Sequence, residues 1–246
     1  MSGVGKTTAA RAIARRYDIH LYSLDSRTYA HAEAMAVPAL AMSAGELWLE
    51  RTPEQMADDF EAEARLRFRL VLADLSALPD DGAPVLVDGP QLLPDLVGPP
   101  SLFVLAEPRL QRALVEARGS LTYSRTRDRQ RALENRLLRD EILSERISAR
   151  APVVEVADVR ETEPAVEHAF RRHLDAWLAR GDRGDVSLRR RVENDRRLDQ
   201  WRRYAAHEPR ALDGALDLAC ECDRPACAAT VPVRLDGPKR RPLLAH

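Results

Sequence analysis

The chain has 246 residues, enough for one α/β domain of about 150–200 residues and a smaller appendage. Apolar residues make up 45% and charged residues 31%, with a formal net charge of −1, the balance of an ordinary globular protein. No run approaches the roughly 18 apolar residues of a membrane span, and no apolar leader opens the chain. The composition therefore argues against an integral membrane protein, and we expect a cytoplasmic location.

The first residues match a phosphate-binding loop. Met1–Thr7 correspond to the last seven positions of the pattern G-x-x-x-x-G-K-[ST], and a helix is predicted at residues 6–16. Glycines let the backbone approach phosphate oxygens, the lysine reaches the terminal phosphates, and the threonine hydroxyl binds Mg²⁺. A chance glycine-rich start to an alanine-rich helix is the alternative, but Lys6 is one of only two lysines in the chain. We predict ATP contacts for Ser2, Gly3, Val4, Gly5, Lys6, Thr7 and Thr8.

The motif lacks its first glycine, which would precede Met1, and the strand that feeds such a loop is also missing from the sequence. That strand would bury about four aliphatic side chains worth about 1.5–3 kcal/mol each. Their sum rivals the whole stability of a domain, about 5–15 kcal/mol. We therefore expect that the true start lies upstream and that Met1 is an internal methionine.

Apolar runs of strand length alternate with helical patterns as far as residue 178, which is typical of βαβ units and a parallel sheet. Strands are predicted at residues 19–24, 84–87, 101–106 and 152–156, and helices at 52–77, from 108, 130–150 and 163–178. In the helix that Thr52 caps, the residues predicted to face the core are Met56, Phe60, Leu66, Leu70 and Leu75. Acidic residues, Asp25 and Asp88, follow the first two strands.

Residues 109–150 carry eleven basic and six acidic side chains, so this block has a net charge of +5. A solvated helical face explains such a block. The functional alternative is a surface that faces a polyanion such as a nucleoside triphosphate.

The order of these features resembles the nucleoside-monophosphate, shikimate and gluconate kinase group of P-loop proteins, over roughly residues 1–180. The features are the loop ending at Thr7, the strand before Asp25, the strand before Asp88-Gly89-Pro90, and the arginine-rich helix. The resemblance implies a P-loop kinase-like α/β fold with five parallel strands in the order 2-3-1-4-5, flanked by helices, and a mobile lid over ATP. The first strand is the one missing here.

The resemblance also implies roles for individual residues. Asp25 would orient or deprotonate the acceptor hydroxyl, with Arg27 and His31 near the acceptor, and Asp88 would assist Mg²⁺ through water. Alternatively, Asp25 caps a helix, Asp88 belongs to a turn, and His31 is a packed or surface histidine. The lid candidates that could stabilise the transferring phosphoryl group are Arg118, Arg125, Arg127, Arg129, Arg136 and Arg139. Among them we favour Arg136 and Arg139.

A linker at residues 180–185 separates a second predicted domain, residues 186–246, which combines a charged helix with a cysteine-rich tail. The arginines of that helix could contact nucleic acid, but its interspersed acidic residues favour an ordinary charged helix. The three cysteines of the whole chain follow in the pattern C-x-C-x₄-C, which favours metal over disulfides in a reducing compartment.

The tail offers few large apolar side chains, so we expect a structural Zn²⁺ to order it. The predicted ligands are Cys220, Cys222, Cys227 and His246, which as the last residue can fold back; His207 is the spare candidate. Unliganded cysteines are the alternative. The stretch weakly resembles a cysteine-rich C-terminal element of actinobacterial regulatory proteins.

Two functions fit these patterns. The first is a kinase that moves the γ-phosphoryl group of ATP to a small-molecule acceptor, with Lys6, Asp25, Asp88 and a lid arginine as catalytic residues. The second is a nucleotide-switched regulator whose cysteine-rich tail contacts a macromolecular partner. The sequence contains no fingerprint for the acceptor.

Overall fold

The computed structural model describes residues 3–35, 48–117, 125–207, 214–235 and 241–245, which form a mixed α/β protein. The helices are α1 (Lys6–Tyr17), α2 (Thr28–Ala34), α3 (Pro53–Ser76), α4 (Pro108–Ala117), α5 (Thr126–Ser148), α6 (Thr162–Leu178) and α7 (Val186–His207). The strands are β1 (His20–Ser23), β2 (Val85–Asp88), β3 (Phe103–Ala106), β4 (Val153–Val156), β5 (Ala215–Ala219) and β6 (Thr230–Arg234). Short 3₁₀ helices span Leu24–Arg27 and Val159–Glu161. Within these ranges, no helix combines the length and the apolar character needed to cross a bilayer.

Three small sheets are present in the described residues. Strand β1 pairs with β2 and β3 pairs with β4, both in parallel, while β5 and β6 form an antiparallel pair. Parallel pairing of the early strands is therefore confirmed. The expected single five-stranded sheet is not confirmed, because each sheet in the described part of the chain has two strands.

The chain divides into two compact units, which interleave along the sequence. The first unit comprises Met1–Lys6, Met35–Leu72 and Pro90–Ala169; the second comprises Thr7–Ala34, Ala73–Gly89 and Phe170–His246. The linker predicted at residues 180–185 lies inside the second unit.

In the second unit, α1 buries one apolar face. Ala9, Ala10, Ile13, Ala14 and Tyr17 are all buried, at the three- and four-residue intervals of one helical stripe. Every residue of β1 is buried, as expected for a strand of a covered parallel sheet. This packing fixes the two elements whose ends carry the predicted site residues.

Helix α3 has the expected helical periodicity, but its buried face differs from the prediction. Met56 is buried as predicted, whereas Leu66 is 58% exposed. Arg67, next along the chain, is 1% exposed. The buried positions of this helix are Met56, Ala57, Ala64, Arg67 and Val71. The inner stripe therefore includes small alanines and one arginine in place of a leucine.

The C-terminal tail contains an apolar core that the sequence did not predict. Leu198 of α7, Leu218 of β5 and Leu243 are buried together, and four partly buried side chains pack against them: Leu216, Val231, Val233 and Leu235. The amide of the fully buried Asn194 exchanges two hydrogen bonds of 2.8 Å with the backbone of Ala219. The expectation that this segment has few large apolar side chains to order it is therefore wrong.

Candidate nucleotide and metal sites

The loop before α1 has a backbone that only glycine adopts easily. Gly3 and Gly5 have φ angles of 106° and 84°, in the left-handed region. Between them, Val4 is fully buried, and its carbonyl accepts a 2.5 Å hydrogen bond from the hydroxyl of Thr162. A Cβ on Gly5 would lie 3.3 Å from the carbonyl oxygen of Val159. The loop is thus held in one shape, and Lys6 begins α1 directly after it.

Thr7 and Asp88, both predicted as Mg²⁺ residues, lie together in the second unit. The Thr7 hydroxyl donates a 2.6 Å hydrogen bond to Oδ2 of Asp88. Asp88 is only 7% exposed and is the last residue of β2, whereas the sequence placed the end of that strand one residue earlier. A Cβ on Gly89 would lie 2.6 Å from Cβ of Leu24, so the turn after Asp88 requires glycine. The structure therefore brings the start of α1 to the carboxyl end of β2.

Ser23 belongs to the same edge, although the sequence analysis did not single it out. It ends β1 and lies opposite Asp88 in the parallel register. Its hydroxyl is buried and has no hydrogen-bond partner among the described residues. The signal was its position at the carboxyl end of a strand, where ligands of α/β proteins gather.

Asp25 lies two residues beyond Ser23, in the first turn of the 3₁₀ helix Leu24–Arg27. Its side chain is exposed, and no hydrogen bond joins its carboxylate to another described residue. Only its backbone carbonyl is engaged, accepting from the hydroxyl of Thr28 at 3.2 Å. The carboxylate therefore does not cap the helix in the described structure.

Arg27 and His31, which we expect near an acceptor, both contact Asp74. The Arg27 Nε donates to Oδ2 of Asp74 at 2.8 Å, and His31 Nε2 lies 3.0 Å from the same oxygen. The Tyr22 hydroxyl also donates to it at 2.8 Å. Burial alone would raise the pKa of Asp74, but these donors outweigh burial and lower it. His31 is buried and packed, which is the alternative to a role at the acceptor that the sequence analysis gave for this residue.

Arg136 and Arg139 lie on α5, in the first unit. Their guanidinium carbons sit 5.6 and 5.0 Å from the ring centroid of Trp48, and Arg139 also pairs with Asp140 at 3.0 Å. Burial lowers the pKa of Arg139. Arg125, Arg127 and Arg129 are exposed, and Arg118 lies outside the described residues, as does Ser2. The catalytic role of Arg136 and Arg139 stays a prediction.

The three cysteines converge at the end of the β5–β6 pair. Their sulfur atoms all lie within 4.8 Å of one another. Cys220 and Cys222 are buried, Cys227 is half-buried, and all three are free thiols. Tetrahedral zinc–sulfur bonds of about 2.3 Å would set the sulfurs about 3.8 Å apart. A contraction of about 1 Å or less therefore closes a metal site, and the group can hold a metal ion such as zinc.

Hydrogen-bond donors point at two of the sulfurs, an arrangement that suits thiolates. The backbone N–H of Ala245 donates to Cys220 Sγ at 3.4 Å, and Arg190 Nη1 to Cys222 Sγ at 3.5 Å. Burial tends to raise the pKa of Cys222, but the backbone N–H of Arg224, the neighbouring thiols and Arg190 outweigh it and lower that pKa. Burial raises the pKa of Cys227.

The two histidines considered as a fourth ligand differ in what the structure shows. His246 lies outside the described residues, although Ala245, its neighbour in the chain, contacts Cys220. The ring of His207 stacks on Tyr29, with centroids 5.3 Å apart, and is not part of the cysteine group.

No family model, curated protein or solved structure matches this chain. The functional assignment therefore depends on the geometry of its own residues.

Proposed function

We propose that this protein is an ATP-dependent phosphotransferase of the P-loop kind, which transfers the γ-phosphoryl group to a small-molecule acceptor. The observation that carries the proposal is the 2.6 Å hydrogen bond between Thr7 and Asp88. It joins the first turn of a helix that follows a glycine loop to an acidic residue at the end of a parallel strand. That is the pairing expected of the residues that hold Mg²⁺ beside a bound triphosphate.

The chemistry of each group supports phosphate binding in the segment from Gly3 to Thr8. The N-terminus of α1 provides N–H groups and the positive end of the helix dipole, and Lys6 adds a full charge. The 2.6 Å hydrogen bond places an acidic oxygen beside the Thr7 hydroxyl. Thr7 would bind the ion through its oxygen, and Asp88 would accept a hydrogen bond from a water of the ion.

The acceptor side of the reaction needs a group that takes a proton. When the acceptor oxygen bonds to the γ-phosphorus, the bond to the bridging β–γ oxygen breaks and ADP leaves. The acceptor hydroxyl loses its proton, and Asp25 would receive it. An exposed carboxylate, close in sequence to the strand end that pairs with Asp88, supports this role.

The cysteines support a second part of the proposal, a structural Zn²⁺ held by Cys220, Cys222 and Cys227. Three mutually close sulfurs and the two N–H donors aimed at them support it. His246 is our choice of fourth ligand because the residue before it contacts Cys220.

A nucleotide-switched regulator remains the second candidate, favoured by the direct contact of the cysteine segment with the residue that follows α1. The two functions differ in turnover. A kinase releases ADP faster when its acceptor is present, whereas a switch binds and hydrolyses ATP without one. A screen of small hydroxyl and phosphate metabolites for accelerated ADP release separates them.

The test of nucleotide chemistry is Lys6→Ala, with Arg16→Ala as a matched control. Both changes remove one positive charge from α1, but Arg16 is an exposed residue far along the helix from the loop. We expect Mg²⁺-dependent binding of a fluorescent ATP analogue by the wild type and by Arg16→Ala. Lys6→Ala should lose phosphoryl transfer with an unchanged circular dichroism spectrum. Equal ATP turnover by wild type and Lys6→Ala would contradict the proposal.

A further inference from the structure

The segment that holds the cysteines, residues 220–227 (the cysteine loop), contacts the end of α1. Asp18, which directly follows α1, is 3% exposed. Its two carboxylate oxygens each accept from the backbone N–H of Ala226 at 3.1 Å. Asp18 and Ala226 both belong to the second unit. The cysteine loop is thus hydrogen-bonded to the residue that follows α1, the helix whose first turn belongs to the proposed nucleotide site.

Arg190 of α7 joins the same two partners with one buried guanidinium. Its Nη2 donates to Oδ1 of Asp18 at 2.9 Å and to the carbonyl of Arg224 at 3.1 Å. Its Nη1 donates to the carbonyl of Cys222 at 2.6 Å and lies 3.5 Å from the sulfur of that residue. A buried guanidinium that loses one of these partners destabilises the folded protein. The contacts of Arg190 with Asp18 and with the cysteine loop therefore depend on one another.

The backbone at Asp18 shows why its side chain matters to α1. Its φ is 51°, a left-handed conformation that an aspartate tolerates when its carboxylate is hydrogen-bonded nearby. Helix α1 stops there, and twelve residues at 1.5 Å each make it a rigid element of about 18 Å. One end is fastened to the cysteine loop through Asp18, and the other carries Thr7 and its bond to Asp88.

We infer that metal binding by the cysteine loop and nucleotide binding at the start of α1 are thermodynamically coupled through Asp18 and Arg190. The inference rests on the proposed function, since it concerns the regulation of that nucleotide site. A metal ion draws the three sulfurs together and fixes the N–H of Ala226 relative to Cys222. Asp18 and the end of α1 are then held, so the helix has less freedom left to lose when phosphates bind. By linkage, bound nucleotide holds the loop in return.

The experiment uses the full-length protein loaded with zinc. Zinc transfer to the chelator 4-(2-pyridylazo)resorcinol is followed with and without the Mg²⁺ complex of adenosine 5′-(β,γ-imido)triphosphate. Nucleotide affinity is measured for the zinc-loaded and zinc-free forms. In the wild type we expect the nucleotide to slow zinc loss about fivefold or more, and zinc removal to weaken nucleotide binding by a similar factor.

Asp18→Asn tests the route. Asparagine keeps the shape and suits a left-handed backbone, but it removes the charge that Arg190 and Ala226 share. Each ligand should still bind, while the coupling factor falls toward one. Arg241→Gln is the control: Arg241 bonds to Glu221 inside the cysteine loop and to Asp195, not to Asp18, so its coupling factor should stay at the wild-type value. If Asp18→Asn does not fold, amide exchange at Ala226 in the wild type replaces it, and nucleotide should slow that exchange.

The outcomes separate this inference from the proposed function. Wild-type protein that binds both ligands with a coupling factor of one overturns the inference and leaves the proposed function standing. Protein that holds zinc but binds no nucleotide overturns both. Full coupling in Asp18→Asn, or exchange at Ala226 that nucleotide does not change, overturns the route through Asp18.

Discussion

Asp25 and Asp88 each follow an apolar strand, yet their carboxylates have opposite surroundings. Asp88 is almost fully buried and fixed by the Thr7 hydroxyl, whereas Asp25 is exposed and its carboxylate is unbonded within the described residues. A buried, hydrogen-bonded carboxylate suits a residue that helps to hold a cation. An exposed carboxylate without such bonds suits a general base, which accepts a proton from a substrate that binds from solvent. Substitutions of the two residues should therefore change different kinetic constants.

Asp25→Asn should lower kcat about 10²–10⁴-fold, the usual contribution of a general base, and leave ATP affinity unchanged. Ser26→Ala is the neighbouring control, because within the described residues the Ser26 hydroxyl donates to the backbone carbonyl of Ser23 and to no other group. Steady-state kinetics with the acceptor and an ATP titration give both constants. A variant that loses thermal stability but keeps the wild-type kcat would move the acceptor site away from Asp25.

The network around Asp74 gives a pH dependence of stability. Donors from Arg27, Tyr22 and His31 hold the pKa of Asp74 below its unfolded value of about 3.9 despite its partial burial. The unfolded chain therefore binds this proton first as the pH falls. The stabilisation is complete above that value and is lost as the pH drops through the lower folded pKa.

We expect Asp74→Asn to lack that part of the acid slope when urea unfolding is measured from about pH 6 downward. Asp80→Asn, a change at an exposed carboxylate nearby in the sequence, should keep it. An Asp74→Asn protein with the wild-type slope would show that the cluster contributes no acid-sensitive stability.

Sequence reasoning located Asp88 and Thr7 because each is marked locally, by a strand end and by a glycine loop. It did not predict the contacts of Arg27 and His31 with Asp74, because that partner lies 47 and 43 residues further along the chain. No pattern of neighbouring residues predicts a contact between side chains so far apart in the sequence. Ser23 was missed for a related reason, since its importance depends on the register with Asp88.

At the level of elements, α3 has the predicted helical period, but Leu66, one of the five residues predicted to face the core, is exposed. Its buried stripe runs through Met56, Ala57, Ala64 and Val71, and it places Arg67 inward while Leu66 faces outward. Hydrophobicity alone favours leucine over arginine in a core. Alanines on the inner face let neighbouring elements approach closely, and the long arginine stem can be buried among them.

The tail hairpin was missed although its period-two pattern was present. Leu216 and Leu218 alternate with Asp217 in β5, and Val231 and Val233 alternate with a proline in β6. Five-residue strands that contain proline or aspartate match the sequence pattern of a β-strand only weakly, whereas the three cysteines form a recognisable metal-binding pattern. The long-range partners Leu198 and Leu243 complete the core.

Leu218→Ala should lower the free energy of unfolding by about 2–5 kcal/mol, because it opens a cavity at a fully buried position. Leu244→Ala is the matched control, since that side chain is 48% exposed and should change stability little. Urea denaturation of both variants gives the difference. Equal stability of the two would show that the cluster is not a core that limits unfolding.

For the whole molecule, the alternation of strands and helices predicted parallel pairing, and β1–β2 and β3–β4 confirm it. How many strands join into one sheet depends on contacts between distant segments, which no local pattern fixes. The same limit applies to the units. The glycine- and aspartate-rich composition of residues 180–185 predicted a linker there, but compactness groups residues 170–246 with Thr7–Ala34 and Ala73–Gly89. Tertiary contacts, and not chain order, define these units.

The zinc prediction also belongs to the scale of the whole chain, because an apolar core accompanies the cysteines in the tail. Zinc should therefore add to an existing fold, and its removal should lower the melting temperature of the tail without unfolding the protein. Elemental analysis of tag-free protein should find one Zn²⁺ per chain.

Deleting His246 should speed zinc loss to a chelator, whereas His207→Ala should not, since that ring stacks on Tyr29. Each lost ligand weakens a four-coordinate site, and a water that replaces the imidazole binds less strongly. The decisive comparison is limited proteolysis of zinc-loaded and zinc-stripped protein. Equal protease resistance of residues 214–246 in the two forms would mean that the leucine core alone orders the tail and that zinc bound by the cysteines has no structural role.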